Sequence, residues 1–402
     1  MCGIAGLWEQ RGHTAPASLA ALARAMADAL VHRGPDAGDV WLDPKAGLAL
    51  GHRRLSIIDL SPAGAQPMVS SCGRFVISYN GEVYNADELR PELAAAGRRF
   101  RGHSDTEAIV EGAAVWGVEA TVKRLIGMFA MALWDRQERA LYLVRDRLGI
   151  KPLYWAEFDG RLLFGSELKA LRADPGWAPE LDHDALASFL RFGYVPASDT
   201  IYRRIRKLPP GTILRVSADG APVLTPYWSL HDIARDGQNA RFPGSESEAA
   251  DALDALLRDA IGRRMVADVP LGAFLSGGID SSTVVALMQA QSNRPVRTFS
   301  IGFHEQEYNE GENAAAVARH LGTEHTELYA EPRHALDVIP LLAEMYDEPF
   351  ADSSQIPTYL VSKMTRAHVT VALSGDGGDE LFAGYTRYFR GQGLWLAIEA
   401  TP

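Results

Sequence analysis

The pattern of hydrophobic and polar positions changes character near residue 230. Before this point, short apolar runs bounded by turn residues predict strands. These predicted strands cover residues 3–8, 49–58, 75–79, 127–134, 140–145, 153–156 and 161–164. Apolar positions with helical spacing lie at residues 17–31, 86–96, 105–116 and 183–192. Clusters of strands with helices between them predict layered α+β packing.

Beyond residue 247 the predicted elements alternate strictly between helix and strand. Helices are predicted over residues 248–265, 281–291, 313–321, 335–346 and 355–365, and strands over residues 271–275, 297–303, 325–329 and 369–373. This order is typical of a parallel, doubly wound α/β sheet. Gly237, Pro243 and Gly244 mark residues 230–247 as a linker. We therefore predict two domains, residues 1–229 and 248–402, on either side of this linker.

Composition and charge restrict the class of protein. The 402 residues are 47% hydrophobic and 23% charged, as in an ordinary globular chain. A net charge of -11 at pH 7 argues against a general binder of nucleic acid or anionic membranes, because such binding needs a basic surface. Two cysteines cannot form a disulfide framework and fit a reducing, cytoplasmic location. Arg24 and Asp28 interrupt the first apolar stretch, so we predict neither a signal peptide nor a membrane span.

One of the two cysteines, Cys2, directly follows the initiator Met1. Removal of Met1 would leave a residue that carries both a thiol and a free α-amine. Because an α-amine titrates near neutral pH, it can take the thiol proton and act as the base for this nucleophile. N-terminal nucleophile hydrolases work in this way. The alternative is that Cys2 is a small buried hydrophobic residue at the start of a strand.

Other polar residues of the first domain could complete a site for amide hydrolysis. Asn80 and Gly81 would offer a side-chain amide and an unhindered N–H to a tetrahedral oxyanion. The same Asn-Gly pair between two apolar runs is also a common hairpin turn. Arg54 could bind a substrate carboxylate or be a surface charge. Asp105 could accept an ammonium group or be a helix N-cap.

Two loops of the second domain combine glycine, serine and aspartate. Residues 276–282 stand where a predicted strand gives way to a helix, and their N–H groups with the Ser281 and Ser282 hydroxyls predict a pyrophosphate site. Asp280 could reach a bound Mg²⁺. A plain loop with a helix cap is the alternative. Residues 374–380 should face this loop, since loops at the carboxyl ends of neighbouring parallel strands converge; a calcium-type turn or a solvated loop is the alternative there.

The motifs of the first domain, taken together, resemble one family. CGIAG (residues 2–6), HRGPD (32–36), RLSIID (54–59), YNGEVYN (79–85) and SDTE (104–107) are similar, in this order, to the glutaminase domain of class II glutamine amidotransferases. RDRLGIKPLY (145–154) resembles the segment that closes this domain in the asparagine synthetase branch. The resemblance implies an N-terminal nucleophile fold with αββα layers. It implies that Cys2 is the nucleophile, that Asn80 and Gly81 form the oxyanion hole, and that glutamine is held by Arg54, Glu82 and Asp105.

The second domain resembles the PP-loop ATP pyrophosphatases. SGDGGDELFAGY (residues 374–385) is similar to the matching segment of bacterial asparagine synthetases. The resemblance implies that ATP is cleaved to AMP and pyrophosphate, that Asp280 and Asp379 share Mg²⁺, and that Asp376 stands where the family often has a glutamate in a proposed base role. The implied ATP-binding residues are Phe274, Ser276, Gly277, Gly278, Asp280, Ser281, Ser282, Ile301, Ser374 and Gly375.

Together the two resemblances imply a glutamine-hydrolysing asparagine synthetase. Ammonia released from glutamine would pass to aspartate activated by ATP, giving asparagine, AMP and pyrophosphate. The partners would be these small molecules, without nucleic acid or membrane, and a homodimer stays open. Asparagine synthetases continue past the point that matches Pro402, through a helical region carrying a lysine, so we expect a truncated second domain. The alternatives are a ligase of the same fold acting on a sugar acid or a peptide, and a catalytically silent scaffold.

Overall fold

The computed structural model describes residues 1–10, 14–158, 160–218, 220–303, 311–399 and 401. The chain divides into two units. The first comprises Met1–Pro243 and Ala343–Asp352, and the second comprises Gly244–Leu342 and Ser353–Pro402. The division after Pro243 falls within the predicted linker. The presence of residues 343–352 in the first unit has no signal in the sequence.

Two antiparallel sheets occupy the centre of the first unit. Their strands are β1 (Gly3–Glu9), β2 (Ala37–Asp43), β3 (Leu48–Arg54), β4 (Met68–Val69), β5 (Phe75–Val83), β6 (Gly127–Asp135), β7 (Ala140–Arg145), β8 (Tyr154–Phe158), β9 (Arg161–Gly165), β10 (Ile205–Lys207), β11 (Thr212–Ser217) and β12 (Val223–Pro226). The strand order is β10-β8-β9-β1-β3-β2 in one sheet and β12-β11-β7-β6-β5-β4 in the other. The long central strands β1, β5 and β6 are almost entirely buried. Burial on both faces requires a covering layer on each side of both sheets.

Helices supply these outer layers. The helices of the first unit are α1 (Pro16–Asp28), α2 (Ala86–Ala95), α3 (Asp105–Trp116), α4 (Val118–Arg124), α5 (Leu168–Leu171), α6 (His183–Phe192) and α7 (Leu230–Asn239). Apolar residues of α1 pack on the sheet that contains β1, and those of α2 and α3 pack on the sheet that contains β5. Between the sheets, Trp8 and Trp134 meet edge to face with ring centroids 5.1 Å apart. The layers are therefore αββα, as the resemblance implies.

The second unit contains a parallel sheet. Its elements and those that connect it are α8 (Glu246–Arg264), β13 (Leu271–Phe274), α9 (Ile279–Ala290), β14 (Arg297–Phe303), α10 (Gly311–Leu321), β15 (Glu324–Ala330), α11 (Pro332–Met345), α12 (Gln355–Arg366), β16 (Val371–Leu373), α13 (Gly378–Phe382) and α14 (Thr386–Glu399). The strand order is β15-β14-β13-β16, and every pairing is parallel. From β13 the chain runs outward to one edge and then returns to the other side of β13. This reversal places a topological switch point between β13 and β16, where such folds bind ligands.

Several sequence-based bounds differ from the structure, and three of them differ by at least four residues. The strand predicted over residues 49–58 ends at Arg54, because its ladders with β1 and β2 extend no further than Arg53 and Arg54. The strand predicted over residues 75–79 continues to Val83 through its ladder with β6. Residues 230–239 of the predicted linker form α7, which begins after the N-cap Ser229 and contains Gly237, so this glycine does not mark a linker. Among the described residues, no helix has both the length and the apolar character needed to span a bilayer.

Candidate active site

Cys2 lies at the amino end of β1, which has strands on both sides. The Leu55 backbone N–H donates to its Sγ atom at 3.4 Å, and Sγ lies 3.6 Å from the Leu55 carbonyl oxygen. The Arg33 Nε atom donates to the Cys2 carbonyl oxygen at 2.9 Å. Burial raises the pKa of the Cys2 thiol, although the Leu55 hydrogen bond and the positive chain terminus oppose this shift. The thiol therefore needs a base before it can act as a nucleophile near neutral pH.

Asn80 is a buried residue of β5 whose side chain has no hydrogen-bond partner among the described residues. Both its Oδ1 and Nδ2 atoms are buried and unpartnered. Leaving a buried polar group without a partner costs about 1–3 kcal/mol. Such a group in a native protein calls for an explanation, and a ligand that pairs with it is one. The Asn80 Nδ2 group is therefore suited to donate a hydrogen bond to an oxyanion. Because Asn80 and Gly81 lie within β5, they do not form the hairpin turn that was the alternative.

The N–H of Gly81 faces away from β6. Gly81 is paired with Phe129 of β6. The Phe129 N–H donates to the Asp146 carboxylate and its carbonyl oxygen accepts the Asp146 N–H, so both groups point away from β5. Tyr79 and Val83, two residues before and after Gly81, donate their N–H groups to side chains on the open side of β5. In an antiparallel ladder alternate residues share this direction. The Gly81 N–H therefore points to the same open side, where it can serve a ligand.

Asp105 is the first residue of α3, and the N-cap is Ser104, so the capping interpretation of Asp105 is wrong. The Tyr79 hydroxyl donates to its carboxylate at 2.7 Å, and the N–H groups of Val83 and Thr106 each donate at 2.8 Å. Burial nevertheless raises the pKa of the Asp105 carboxyl. A substrate ammonium beside this carboxylate would offset the desolvation.

Arg54 and Glu82 are both buried, so Arg54 is not a surface charge. The Arg54 guanidinium donates to the carbonyl oxygens of Ser61 at 3.3 Å and Ile58 at 3.5 Å, and to that of Asp59. These bonds hold the loop that follows β3. The structure thus shows Arg54 bound to the backbone of this loop. That Arg54 also binds a substrate carboxylate remains a prediction.

The predicted residues form one electrostatic neighbourhood. The charges of Asp105 and Arg54 both act on the Cys2 thiol. The pKa of the buried Tyr79 hydroxyl is raised well above its ordinary value, and burial is the largest cause. The negative charges of Asp105, Glu82 and Cys2 raise it further. Sequence reasoning did not identify Tyr79 as a site residue, although it begins the YNGEVYN motif. It also missed the Leu55 N–H, because a backbone donor has no residue signature.

In the second unit, the loop between β13 and α9 has the features of an anion site. The Ser276 Oγ atom accepts the Gly278 N–H at 3.2 Å and lies 2.9 Å from Ser281 Oγ. The Ser282 Oγ atom is buried and has no hydrogen-bond partner in the described part of the chain. Helix α9 begins at Ile279, two residues earlier than predicted. N–H groups at a helix start beside an unpartnered hydroxyl fit a phosphate group.

The loop after β16 meets this phosphate loop, as the parallel sheet predicts. A Cβ placed on Gly378 would lie 2.3 Å from the Asp280 Oδ2 atom. A Cβ placed on Gly375 would lie 2.8 Å from the Ser281 backbone nitrogen. The expected convergence of the two loops is therefore confirmed. Glycine at both positions lets their backbones approach this closely.

Two carboxylates of these loops are candidates for a metal. Asp280 and Asp379 lie in the first turns of α9 and α13. Among the described residues, no group of three or more histidine, cysteine, aspartate or glutamate side chains could hold a metal ion. Mg²⁺ bound with a nucleotide usually takes one or two carboxylates and completes its shell with phosphate oxygens and water. The donor types therefore fit Mg²⁺, and its binding stays a prediction.

The remaining predicted residues of this site lie at its edge. Asp376 is exposed, and the Ser374 hydroxyl donates to its carboxylate at 3.0 Å. Phe274 and Ile301 pack against a small apolar cluster that includes Phe299, and both stay partly buried. Their apolar surfaces lie near the carboxyl ends of β13 and β14. An adenine ring could pack there, which remains a prediction.

Gly277→Ala is expected to weaken ATP binding by roughly tenfold or more and to leave glutamate release unchanged. Gly277 has a φ of 81°, and its Cβ would lie 2.7 Å from the Ala314 nitrogen, so the loop must move and carry its N–H groups with it. Calorimetric titration with ATP measures the effect. Gly322→Ala is the matched control, since Gly322 has a φ of 70° with open space around it. Equal ATP affinities in the two variants would contradict the assignment.

Comparisons with known proteins agree with this geometry. A model of the glutamine amidotransferase domain matches residues 1–228, and a model of asparagine synthase matches residues 252–402. Asparagine synthetase (glutamine-hydrolyzing) 1 of Bacillus subtilis is 37% identical over 392 residues, which cover 96% of this chain and 59% of the relative. A putative asparagine synthetase (glutamine-hydrolyzing) of Mycobacterium tuberculosis is 38% identical over 411 residues, covering 96% of this chain and 61% of the relative.

A putative asparagine synthetase (glutamine-hydrolyzing) 2 of Methanocaldococcus jannaschii is 35% identical over 386 residues, covering 91% of this chain and 73% of the relative. The chain spans 59% and 61% of the lengths of the two bacterial relatives. A solved glutamine phosphoribosylpyrophosphate amidotransferase from B. subtilis, complexed with ADP and GMP, matches with a TM-score of 0.41 and 16% identity over 84% of this chain and 70% of that chain, too weakly to carry an argument. By its two matched domains and its relatives, the chain belongs to the glutamine-hydrolyzing asparagine synthetase family.

Proposed function

We propose that the chain hydrolyses glutamine at Cys2 and uses the ammonia, with ATP, to convert aspartate to asparagine. The observation that carries this proposal is the buried, unpartnered side-chain amide of Asn80. Its neighbour in β5, Tyr79, experiences the charges of Cys2 and Asp105. A catalytically silent scaffold would gain nothing from burying an amide without a partner. A tetrahedral oxyanion would pair with the Nδ2 atom of this amide.

In the first half-reaction, the Cys2 sulfur attacks the side-chain amide carbon of glutamine. The Cys2 α-amine, freed by removal of Met1, takes the thiol proton and then gives a proton to the departing ammonia. The oxyanion accepts hydrogen bonds from the Asn80 Nδ2 atom and the Gly81 N–H. Loss of ammonia leaves a thioester on Cys2. Water hydrolyses this thioester to glutamate and restores the thiol.

Three buried charged residues would hold the glutamine substrate. Arg54 would bind the α-carboxylate with its guanidinium, while Asp105 and Glu82 would lie around the α-ammonium. Opposite charges in a buried site attract more strongly than in water, because the surroundings screen them less. This charge pattern selects a free amino acid over a neutral amide.

In the second half-reaction, the aspartate carboxylate displaces pyrophosphate from ATP, and ammonia then attacks the acyl carbon and displaces AMP. The loop of residues 276–282 would hold the pyrophosphate through its N–H groups and the Ser282 hydroxyl. Asp280 and Asp379 would hold Mg²⁺, which neutralises charge on the phosphates. Asp376 would take a proton from the attacking ammonia. Phe274 and Ile301 would pack against the adenine.

Mass spectrometry of the products tests the proposal. The chain is mixed with ATP, Mg²⁺, aspartate and amide-labelled glutamine, and a reaction without aspartate is the control. We expect labelled asparagine together with glutamate, AMP and pyrophosphate. Glutamate and labelled ammonia without an amide product would contradict aspartate as the acceptor for this chain. Absence of glutamate would contradict the glutaminase assignment itself.

Asp105→Asn is expected to raise KM for glutamine roughly 10- to 100-fold, because a charge-assisted hydrogen bond to the substrate ammonium contributes about 1.5–3 kcal/mol. Burial raises the pKa of Asp105, so this carboxyl takes up a proton at a higher pH than an ordinary aspartate. In the unaltered chain, KM should therefore rise as the pH falls through that pKa. Glutaminase kinetics across pH measure both effects, with Asp87→Asn, at an exposed acid of α2, as the control. An unchanged KM in Asp105→Asn would rule out the role.

A further inference from the structure

The RDRLGIKPLY segment contains a buried cation that the proposed mechanism does not use. Lys151, which lies between β7 and β8, is only 5% exposed. Lysine is almost never fully buried unless it is paired. In the part of the chain that the structure describes, the contact of the Lys151 Nζ atom is with Met1 Sδ at 3.1 Å, and no ion pair joins it to a carboxylate. Its placement therefore needs another explanation.

The loop around Asp146 fixes the position of Lys151. The N–H groups of Leu148 and Ile150 donate to Asp146 Oδ1 at 3.1 and 3.0 Å, and the Lys151 N–H donates to Oδ2 at 2.9 Å. The Arg145 Nε atom donates to the Lys151 carbonyl oxygen at 2.9 Å. Both backbone polar groups of Lys151 are thus held by the segment itself. A motif built in this way presents one side chain at a fixed place.

That place is the chain terminus beside the nucleophile. The Lys151 Nζ atom contacts the Met1 side chain, and the Lys151 ammonium interacts electrostatically with the Cys2 thiol. Arg33 approaches the same two residues, through the Cys2 carbonyl oxygen at 2.9 Å and Met1 Sδ at 3.9 Å. The Arg33 guanidinium also forms a 2.7 Å ion pair with Glu167. Arg33 thus has a carboxylate that balances its charge.

The charged groups around Lys151 come from several elements. Burial, and then the charge of Arg33, lower the pKa of Lys151 to about 8, whereas Asp146, Glu82 and Cys2 oppose this shift. The ammonium is therefore mostly protonated at pH 7. The Cys2 thiol also experiences the negative charge of Asp105 and the positive charge of Arg54.

We propose that Lys151 is a positioning residue for glutamine hydrolysis, whose positive charge favours the deprotonated, reactive forms of the Cys2 α-amine and thiol. A nearby cation disfavours a second cation, the α-ammonium, and favours an anion, the thiolate. Both effects lower the pH at which Cys2 becomes reactive, and they counteract the burial that holds the thiol protonated. The inference rests on the proposed function, which makes Cys2 the nucleophile and requires removal of Met1.

The test is the pH dependence of Cys2 reactivity in Lys151→Met and Lys151→Arg. Both variants carry Cys72→Ser, which removes the exposed second thiol, and intact mass confirms that Met1 is absent. The rate of alkylation by iodoacetamide is measured across pH, together with kcat/KM for glutamate release. In Lys151→Met we expect the midpoint of both profiles to rise by about one pH unit, with reaction at pH 7 about tenfold slower. At pH values above the midpoints of both the parent and Lys151→Met, the two proteins should be alkylated at the same rate.

Lys151→Arg keeps the charge, so its midpoint should stay near that of the parent. An unchanged midpoint in Lys151→Met, or an equal shift in Lys151→Arg, would overturn the proposal. A lower plateau without a shifted midpoint would also overturn it, because that is the result of a merely structural role. If Lys151→Met does not fold, Lys151→Gln is judged by the same midpoints. A parent chain that releases no glutamate would refute the proposed function, whereas the alkylation midpoints would still decide the role of Lys151.

Discussion

Replacing Cys2 with alanine is expected to abolish glutamate release from glutamine, with a loss of roughly a thousandfold or more. The variant lacks the sulfur that forms the thioester in the proposed mechanism. The Leu55 contacts of the thiol are long, at 3.4 and 3.6 Å, so their loss should change the thermal unfolding midpoint little. Coupled assays of glutamate, with thermal unfolding measured in parallel, check both expectations.

Amide synthesis from ammonium chloride should survive in Cys2→Ala, because the second half-reaction takes ammonia from any source. Cys72→Ser is the matched control, since it removes the other thiol, which is exposed and far along the chain. It should leave glutamate release unchanged. Equal loss of glutamine-dependent and ammonia-dependent synthesis in Cys2→Ala would contradict two separate sites.

Asn80→Leu is expected to lower kcat for glutamate release about 10²- to 10³-fold, the usual loss when one oxyanion donor is removed. The same change should leave the free energy of unfolding unchanged or raise it. Both polar atoms of the Asn80 side chain are buried without partners, so leucine, which has nearly the same shape, removes an uncompensated desolvation. Steady-state kinetics and chemical denaturation measure the two effects on the same protein.

Asn85→Leu provides the opposite pattern within the same motif. The Asn85 Nδ2 atom donates to the Arg124 carbonyl oxygen at 2.9 Å, and its Oδ1 atom accepts the Ile126 N–H at 2.8 Å. Its replacement leaves partners unsatisfied and should lower stability by about 1–3 kcal/mol, with little effect on kcat. If Asn80→Leu instead destabilised the chain and kept its kcat, Asn80 would be a structural residue and not an oxyanion donor.

Elements with strong periodicity could be predicted from the sequence. The bounds of α3, α6, β7 and β14 agree with the prediction, because each combines an apolar pattern with clear end signals. Short strands without a buried face could not be predicted in this way. All four residues of β12 are exposed, so no alternation distinguishes them from a loop.

The roles of the candidate active-site residues were harder to predict from each residue alone. Asn80 and Gly81 favour a turn locally, and only their register against β6 places them inside a strand. The role of Asp105 likewise depends on Tyr79 and Val83, which are distant in sequence. Burial of a lysine such as Lys151 depends on tertiary packing, which a sequence pattern cannot express. The family motifs contain Asn80, Gly81 and Asp105, and the resemblance therefore predicts that they share one site.

Covalent labelling with a diazoketone analogue of glutamine tests most directly whether Cys2 is the glutamine-hydrolysing nucleophile. The labelled chain is examined by intact-mass and peptide mass spectrometry, with and without excess glutamine. We predict a single adduct on a peptide that begins with Cys2 and lacks Met1, and we predict that glutamine protects against it. An adduct on Cys72, or glutamate release by a chain whose Cys2 never forms the adduct, would contradict the assignment.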